Sequence, residues 1–201
     1  LVVEADISGH ESPFAGLESD LTLAERLDET QLAELTRVAD ETGVSLSMID
    51  TLPLWQIAMV LQATQAQRLG LRGDYGIDYQ LLNVARARSL PIIELEGTDS
   101  QIALLRQLPD DGRMLLDDTL THWHTNARLL QTMIGWWLDA PPAEGKLALP
   151  STFSESLYDV LMNARNQAWR QTLHALPAGH YVVAVGALHL YGEGNLPSLL
   201  K

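Results

Sequence analysis

The chain has 201 residues, no cysteine, and 13 Lys and Arg against 26 Asp and Glu, a formal charge of −13. That acidic excess argues against nucleic acid, whose phosphates are held by clustered Lys and Arg. The lack of cysteine excludes disulfides, zinc–thiolate sites, iron–sulfur clusters and Cys nucleophiles. With 46% hydrophobic and 19% charged residues, the balance is globular, and a chain of this length can bury a core as one domain.

Leu1 to Ala5 is an apolar run closed by Glu4 and Asp6, the pattern of a buried strand. Because the sequence opens inside this strand and without Met, we expect a first segment to be missing from it. An irregular loop with Pro13 and Gly16 follows from His10 to Asp20. From Asp28 or Thr30, Leu32, Leu35, Val38 and Ala39 recur at helical spacing, and Gly43 supplies a C-terminal stop. Pro53 suits the first turn of the next helix, which carries Trp55, Ile57, Ala58, Leu61 and Ala66 as far as Gly70. The run Leu52 to Leu61, broken by Pro53 and Gln56, is too short to span a membrane, so no membrane partner is expected.

Residues 76 to 88 predict an amphipathic helix with Ile77, Leu81, Val84 and Ala85 inward. A strand at Ile92 to Leu95 and a helix from Ser100 to Leu108 come next. Leu115, Leu116, Leu120, Trp123, Ala127, Leu130 and Ile134 predict a long helix between Asp110 and Asp139, ended by Pro141-Pro142. Thr152-x-x-Glu155 predicts a capping box for a further helix through Leu157, Val160, Leu161, Ala164, Ala168 and Leu173. Tyr181 to Val185, rich in Val and flanked by glycines, predicts the last strand. The fold class is therefore α/β: one helix-rich domain whose small central sheet is covered by helices.

The strongest chemical signal is Gly186-Ala187-Leu188-His189, which delivers a histidine to the carboxyl end of a strand, where α/β sheets gather ligands. From the residues alone, His189 is either a hydrogen-bonded side chain capping a strand or a ligand-binding group. Glu4 stands in the same position on the first strand, either solvated or, if buried, paired with a cation. Arg165, beside Asn166 and one turn before Trp169, is either exposed on its helix or placed to neutralise Glu4 or hold an oxyanion. His122 and His124 point about 200° apart on one helix and cannot chelate together. Asp110-Asp111 and Asp117-Asp118 suit solvated helix ends. There is no Gly-rich phosphate loop, no Gly-x-Ser-x-Gly elbow and no His-Glu-x-x-His helix. If the carboxyl ends of the first and last strands adjoin in a parallel sheet, Glu4, Arg165 and His189 share one pocket.

In order, LVVEAD, GIDYQLL, PIIELEG with SQIALL, ARNQAW and YVVAVGALHLYGEGNLPSLL resemble the TraB/GumN family, in its YbaP-like branch. The resemblance spans the whole chain and is carried most specifically by Gly186-x-x-His189 and Arg165-Asn166. It implies an EreA/ChaN-like helix-covered sheet and a likeness to the Tiki metalloproteases, whose site is implied to use two Gly-x-x-His motifs, a strand-end Glu and a helical Arg around a divalent metal. Carried over, His189 and Glu4 would be metal ligands, Glu4 doubling as general base, and Arg165 would stabilise charge or orient Glu4. The metal would be Mn, Co or Zn.

The family's first Gly-x-x-His lies upstream of the Glu4 strand, and no motif precedes Leu1 here; Ser8-Gly9-His10 has the wrong spacing. Two protein ligands fall short of the usual three. The expectation is therefore a metal-dependent, metallopeptidase-like hydrolase acting on a peptide or small molecule, inactive as this chain. The alternative is a non-enzymatic protein that binds a peptide or small molecule in the same pocket for regulation. The compartment expected is the cytoplasm, with the periplasm the other option.

Overall fold

Val2 and Val3 form β1 (Val2–Val3), the middle strand of a three-stranded sheet in the order β2-β1-β3. The structure, a computed structural model, describes residues 1–9, 17–139 and 153–201. β1 pairs in parallel with β2 (Ile93–Glu94), Val3 opposite Glu94, and with β3 (Val183–Ala184), Val3 opposite Ala184. All three predicted apolar runs thus enter one sheet, and both neighbours of β1 are parallel to it. The ladders are shorter than the five-residue runs suggest, although hydrogen bonds continue from Ile93 N–H to the Leu1 carbonyl and from Leu95 N–H to that of Val3.

Burial follows position in the sheet. β1, bonded on both sides, is sealed, with Val2 at 0% and Val3 at 1% exposure, whereas Val182 at the edge is 64% exposed. The run Tyr181 to Val185 is apolar enough to read as a core strand, yet it has one strand neighbour only and leaves Val182 and Val183 exposed.

The crossover from β1 to β2 runs through α1 (Leu23–Arg26), α2 (Glu29–Thr42), α3 (Leu46–Ile49), α4 (Leu54–Arg68) and α5 (Ile77–Ala87). α2 ends at Gly43 with φ +77°, as its sequence signal predicts, and of the two starts that the sequence offers it takes Asp28, whose side chain accepts from Gln31 N–H. On α5 the inward face is corrected. Leu82 and Ala85 are buried, whereas Ile77 and Val84 are each 48% exposed. The helix is rotated so that the Leu82–Ala85 pair, one turn apart, meets the interior.

The return from β2 to β3 uses α6 (Thr98–Arg106), α7 (Arg113–Thr121), α8 (Trp123–Asp139), α9 (Glu155–Tyr158) and α10 (Ala164–His174); α11 (Leu196–Leu199) follows β3. The single long helix predicted from Asp110 to Asp139 is instead a 3₁₀ turn and two helices that part at His122. Buried Gln65 of α4 donates to the Trp123 carbonyl at 2.9 Å, and Gln62 donates to the Thr119 hydroxyl at 2.9 Å, so α4 ties both pieces together at the break. The proline pair at 141–142, the cap residue Thr152 and His10 with its loop to Gly16 lie outside the described residues. α9 starts after Ser154.

The main core joins these helices through Leu35, Val38, Trp55, Ile57, Leu61, Leu116 and Trp123, among others. Asp110 and Asp111, predicted as solvated helix ends, have left-handed backbone at φ +50° and +57°. Asp111 accepts from Leu54 N–H at 2.9 Å, which caps α4 from a distance of 57 residues in sequence. Replacing it with Ala is expected to lower stability by about 1–2 kcal/mol, the usual range for a lost N-terminal cap. Asn, which tolerates left-handed backbone and keeps an acceptor, is expected to retain most of that stability in urea unfolding.

Candidate functional site

The register of β1 fixes the site. Glu4 follows Val3 directly, so it lies at the strand's carboxyl end beside the turns that leave β2 and β3. Its carbonyl accepts from Glu96 and Gly97 N–H, each at 3.0 Å, which draws the start of α6 against it. Its carboxylate accepts from Gly186 N–H at 2.5 Å and from Gln101 Nε2 at 3.3 Å. Gly186 is needed for closeness: a Cβ there would stand 3.2 Å from Glu4 Oε1 and 3.7 Å from His189 Cδ2. Gly186→Ala is expected to displace the Glu4 carboxylate by a few tenths of an ångström at about 1 kcal/mol. Urea midpoints would measure that cost.

Arg165 comes from α10, where a π-helical turn, Asp159–Asn163, precedes it within one continuous run of helix from α9. Its guanidinium bonds Glu4 Oε2 at 2.9 Å through Nη2, and Glu96 at 2.7 Å through Nε and 3.1 Å through Nη2. Nη1 donates to the Leu161 carbonyl of the π turn at 3.1 Å and lies 3.4 Å from His189 Nε2. The fork therefore spends its N–H groups on two carboxylates, one carbonyl and one imidazole. Arg165, Glu4 and Glu96 side chains are only 16%, 21% and 14% exposed.

His189 is buried at 4% exposure. Its Nδ1 is 2.7 Å from Asn166 Oδ1, and its ring lies against the fully buried Trp169 ring, centroids 4.3 Å apart at 43°. Trp169 also carries the Arg165 guanidinium over its face at 4.7 Å. Its indole N–H has no partner among the described residues. Burial, then the nearby Arg165 charge, push the His189 imidazole down to about 4, so it is neutral near pH 7.

The three residues singled out in sequence, Glu4, Arg165 and His189, thus meet in one cluster although 161 and 24 positions separate Arg165 from the other two. The sequence pattern did not single out Glu96 as the second carboxylate on Arg165. The available signal was Glu96-Gly97 just past a strand that pairs with β1. Glu94 lies apart from this cluster and accepts from Asp6 N–H at 2.6 Å. Asp117, expected to be solvated, accepts from Gln31 Nε2 at 2.9 Å, and burial raises its carboxyl.

Among the described residues no group of three or more His, Asp or Glu side chains is set to hold a metal ion. His189 Nε2 and the Glu4 carboxylate are two donors of suitable kind, both facing the Arg165 guanidinium. No helix among the described residues is long and apolar enough to cross a membrane.

The chain is 64% identical over all 201 residues to "Uncharacterized protein YbaP" of Escherichia coli (strain K12), covering 76% of that protein, and the same figures hold for its counterpart in Shigella flexneri. No solved structure matches. The model of the TraB/PrgY/gumN family matches residues 1–201, and the chain belongs to that family.

Proposed function

We propose that this chain carries the larger part of a metal-dependent hydrolase site acting on peptide bonds. The observation behind it is the convergence of Glu4 and His189, from opposite ends of the chain, on one strand edge with a neutral imidazole and a cation between them. Neutral imidazole is the form that ligates metals, and a strand-end carboxylate is a suitable partner. His189 and Glu4 would hold the ion, with a further imidazole supplied from sequence outside these 201 residues. A divalent cation, when bound, supplies Lewis acidity and a water of lowered pKa.

The chain's own residues set the geometry. Arg165 fixes the Glu4 carboxylate through a shared fork with Glu96 and so balances two acids with one cation. Gly186 N–H and Gln101 hold the other side of Glu4. With its N–H groups already engaged, Arg165 acts here by orienting Glu4 rather than by meeting an oxyanion.

A polypeptide of the relatives' full length is expected to cleave fluorogenic peptides in the presence of Mn²⁺, Co²⁺ or Zn²⁺. His189→Ala is expected to reduce cleavage at least about tenfold, the low end of effects at metal-site residues. Cleavage that survives His189→Ala overturns the assignment. Binding of peptides without turnover favours the regulatory reading of the same pocket.

A further inference from the structure

We propose that Asn166 is a positioning residue that fixes the proton of His189 on Nδ1 and leaves the Nε2 lone pair facing Arg165. The assignment starts from Gly194, whose carbonyl can only accept. Asn166 Nδ2 lies 3.0 Å from that carbonyl and must donate to it, which turns Oδ1 toward His189 Nδ1 at 2.7 Å. An amide oxygen has no proton, so Nδ1 carries one. The opposite side of the ring agrees independently. Arg165 Nη1 lies 3.4 Å from Nε2, and a guanidinium is a donor with no acceptor, so only an unprotonated Nε2 can face it. Reversing the amide and the tautomer together would set two acceptors against each other at Gly194 and two donors at Arg165, with Asn166 at 3% and His189 at 4% exposure.

The lock is built from local features. Asn166 follows Arg165 directly on α10, so one helix turn delivers the cation, the amide and, at Trp169, the ring that packs on His189. Gly194 has φ +69°, and a Cβ there would approach Asn163 Oδ1 to 3.3 Å, so the turn that presents the carbonyl is one glycine makes easily. Second partners of this kind set which imidazole nitrogen is free to bind. The hydrogen-bond assignment stands without the hydrolase reading; its consequence, an unprotonated Nε2 that would exchange the Arg165 contact for a ligand, rests on that reading.

The test is a long-range ¹H–¹⁵N correlation spectrum of the imidazole rings at pH 7, on the unchanged chain and two variants. His189 is expected to show one neutral tautomer with its proton on Nδ1. Asn166→Asp, which keeps an acceptor in place, should keep a proton on Nδ1, whereas Asn166→Leu leaves only the longer 3.4 Å Arg165 contact to hold the tautomer and should lose the single-tautomer pattern. A proton on Nε2 alone in the unchanged protein overturns the proposal even if Asn166→Leu does not fold. So does a folded Asn166→Leu with the pattern unaltered. Failure to bind any metal leaves these spectra as they are, so the two readings fail separately.

Discussion

Arg165→Met is expected to destabilise the chain by about 3 kcal/mol, read from the urea midpoint. Removing one partner of a buried ion pair costs roughly 3–5 kcal/mol because the other charge is left without compensation. Here two carboxylates lose the same cation, but each keeps 14–21% of its side chain in solvent, which places the effect near the low end. Packing of the guanidinium on Trp169 is lost as well. Arg165→Lys should recover less than half, since a point charge cannot bridge Glu4 and Glu96 as a fork does. Adding Glu4→Gln and Glu96→Gln to Arg165→Met should restore much of the loss, a strongly non-additive result characteristic of one network. Additive effects would mean that the three side chains act independently.

The second large effect is on pH. His189 sits near 4 in the folded chain against 6.5 as its ordinary value. Its folded pKa is depressed, so the unfolded chain takes up the proton first as the solution is acidified. The stability associated with the neutral ring is complete above pH 6.5, declines through that pH, and is fully lost near pH 4. The shift corresponds to about 3 kcal/mol, at 1.36 kcal/mol for each pH unit. His189→Phe should flatten the urea-derived stability profile between pH 6.5 and 4 relative to the unchanged chain. An unchanged slope in that window would mean that the imidazole is not held neutral by burial.

Much of the fold was legible because the signals were local. Gly43 marked the end of α2 and Asp28 or Thr30 its start, and three apolar runs marked the sheet. The position of Glu4, Gly186 and His189 just past strand ends brought them together once the strands were parallel. What escaped was set by tertiary contact. Nothing within ten residues of Glu96 says that it shares Arg165 with Glu4, and nothing near Asp111 says that it caps a helix that starts at Leu54. The outward turn of Ile77 and Val84 shows how far an apolar spacing can mislead when another face of the same helix, through Leu82, finds the interior. At the break by His122, buried Gln65 of another helix donates its amide to the Trp123 carbonyl, a contact that local sequence does not announce.

Coordination of a divalent cation by His189 and Glu4, as proposed, is tested by calorimetric titration of Mn²⁺, Co²⁺ and Zn²⁺ at pH 7. The titrated protein would be a polypeptide of the relatives' full length, with and without His189→Ala. One bound ion per chain is expected, with affinity at least about tenfold weaker in the variant. No binding heat, or equal affinity in both proteins, would contradict it.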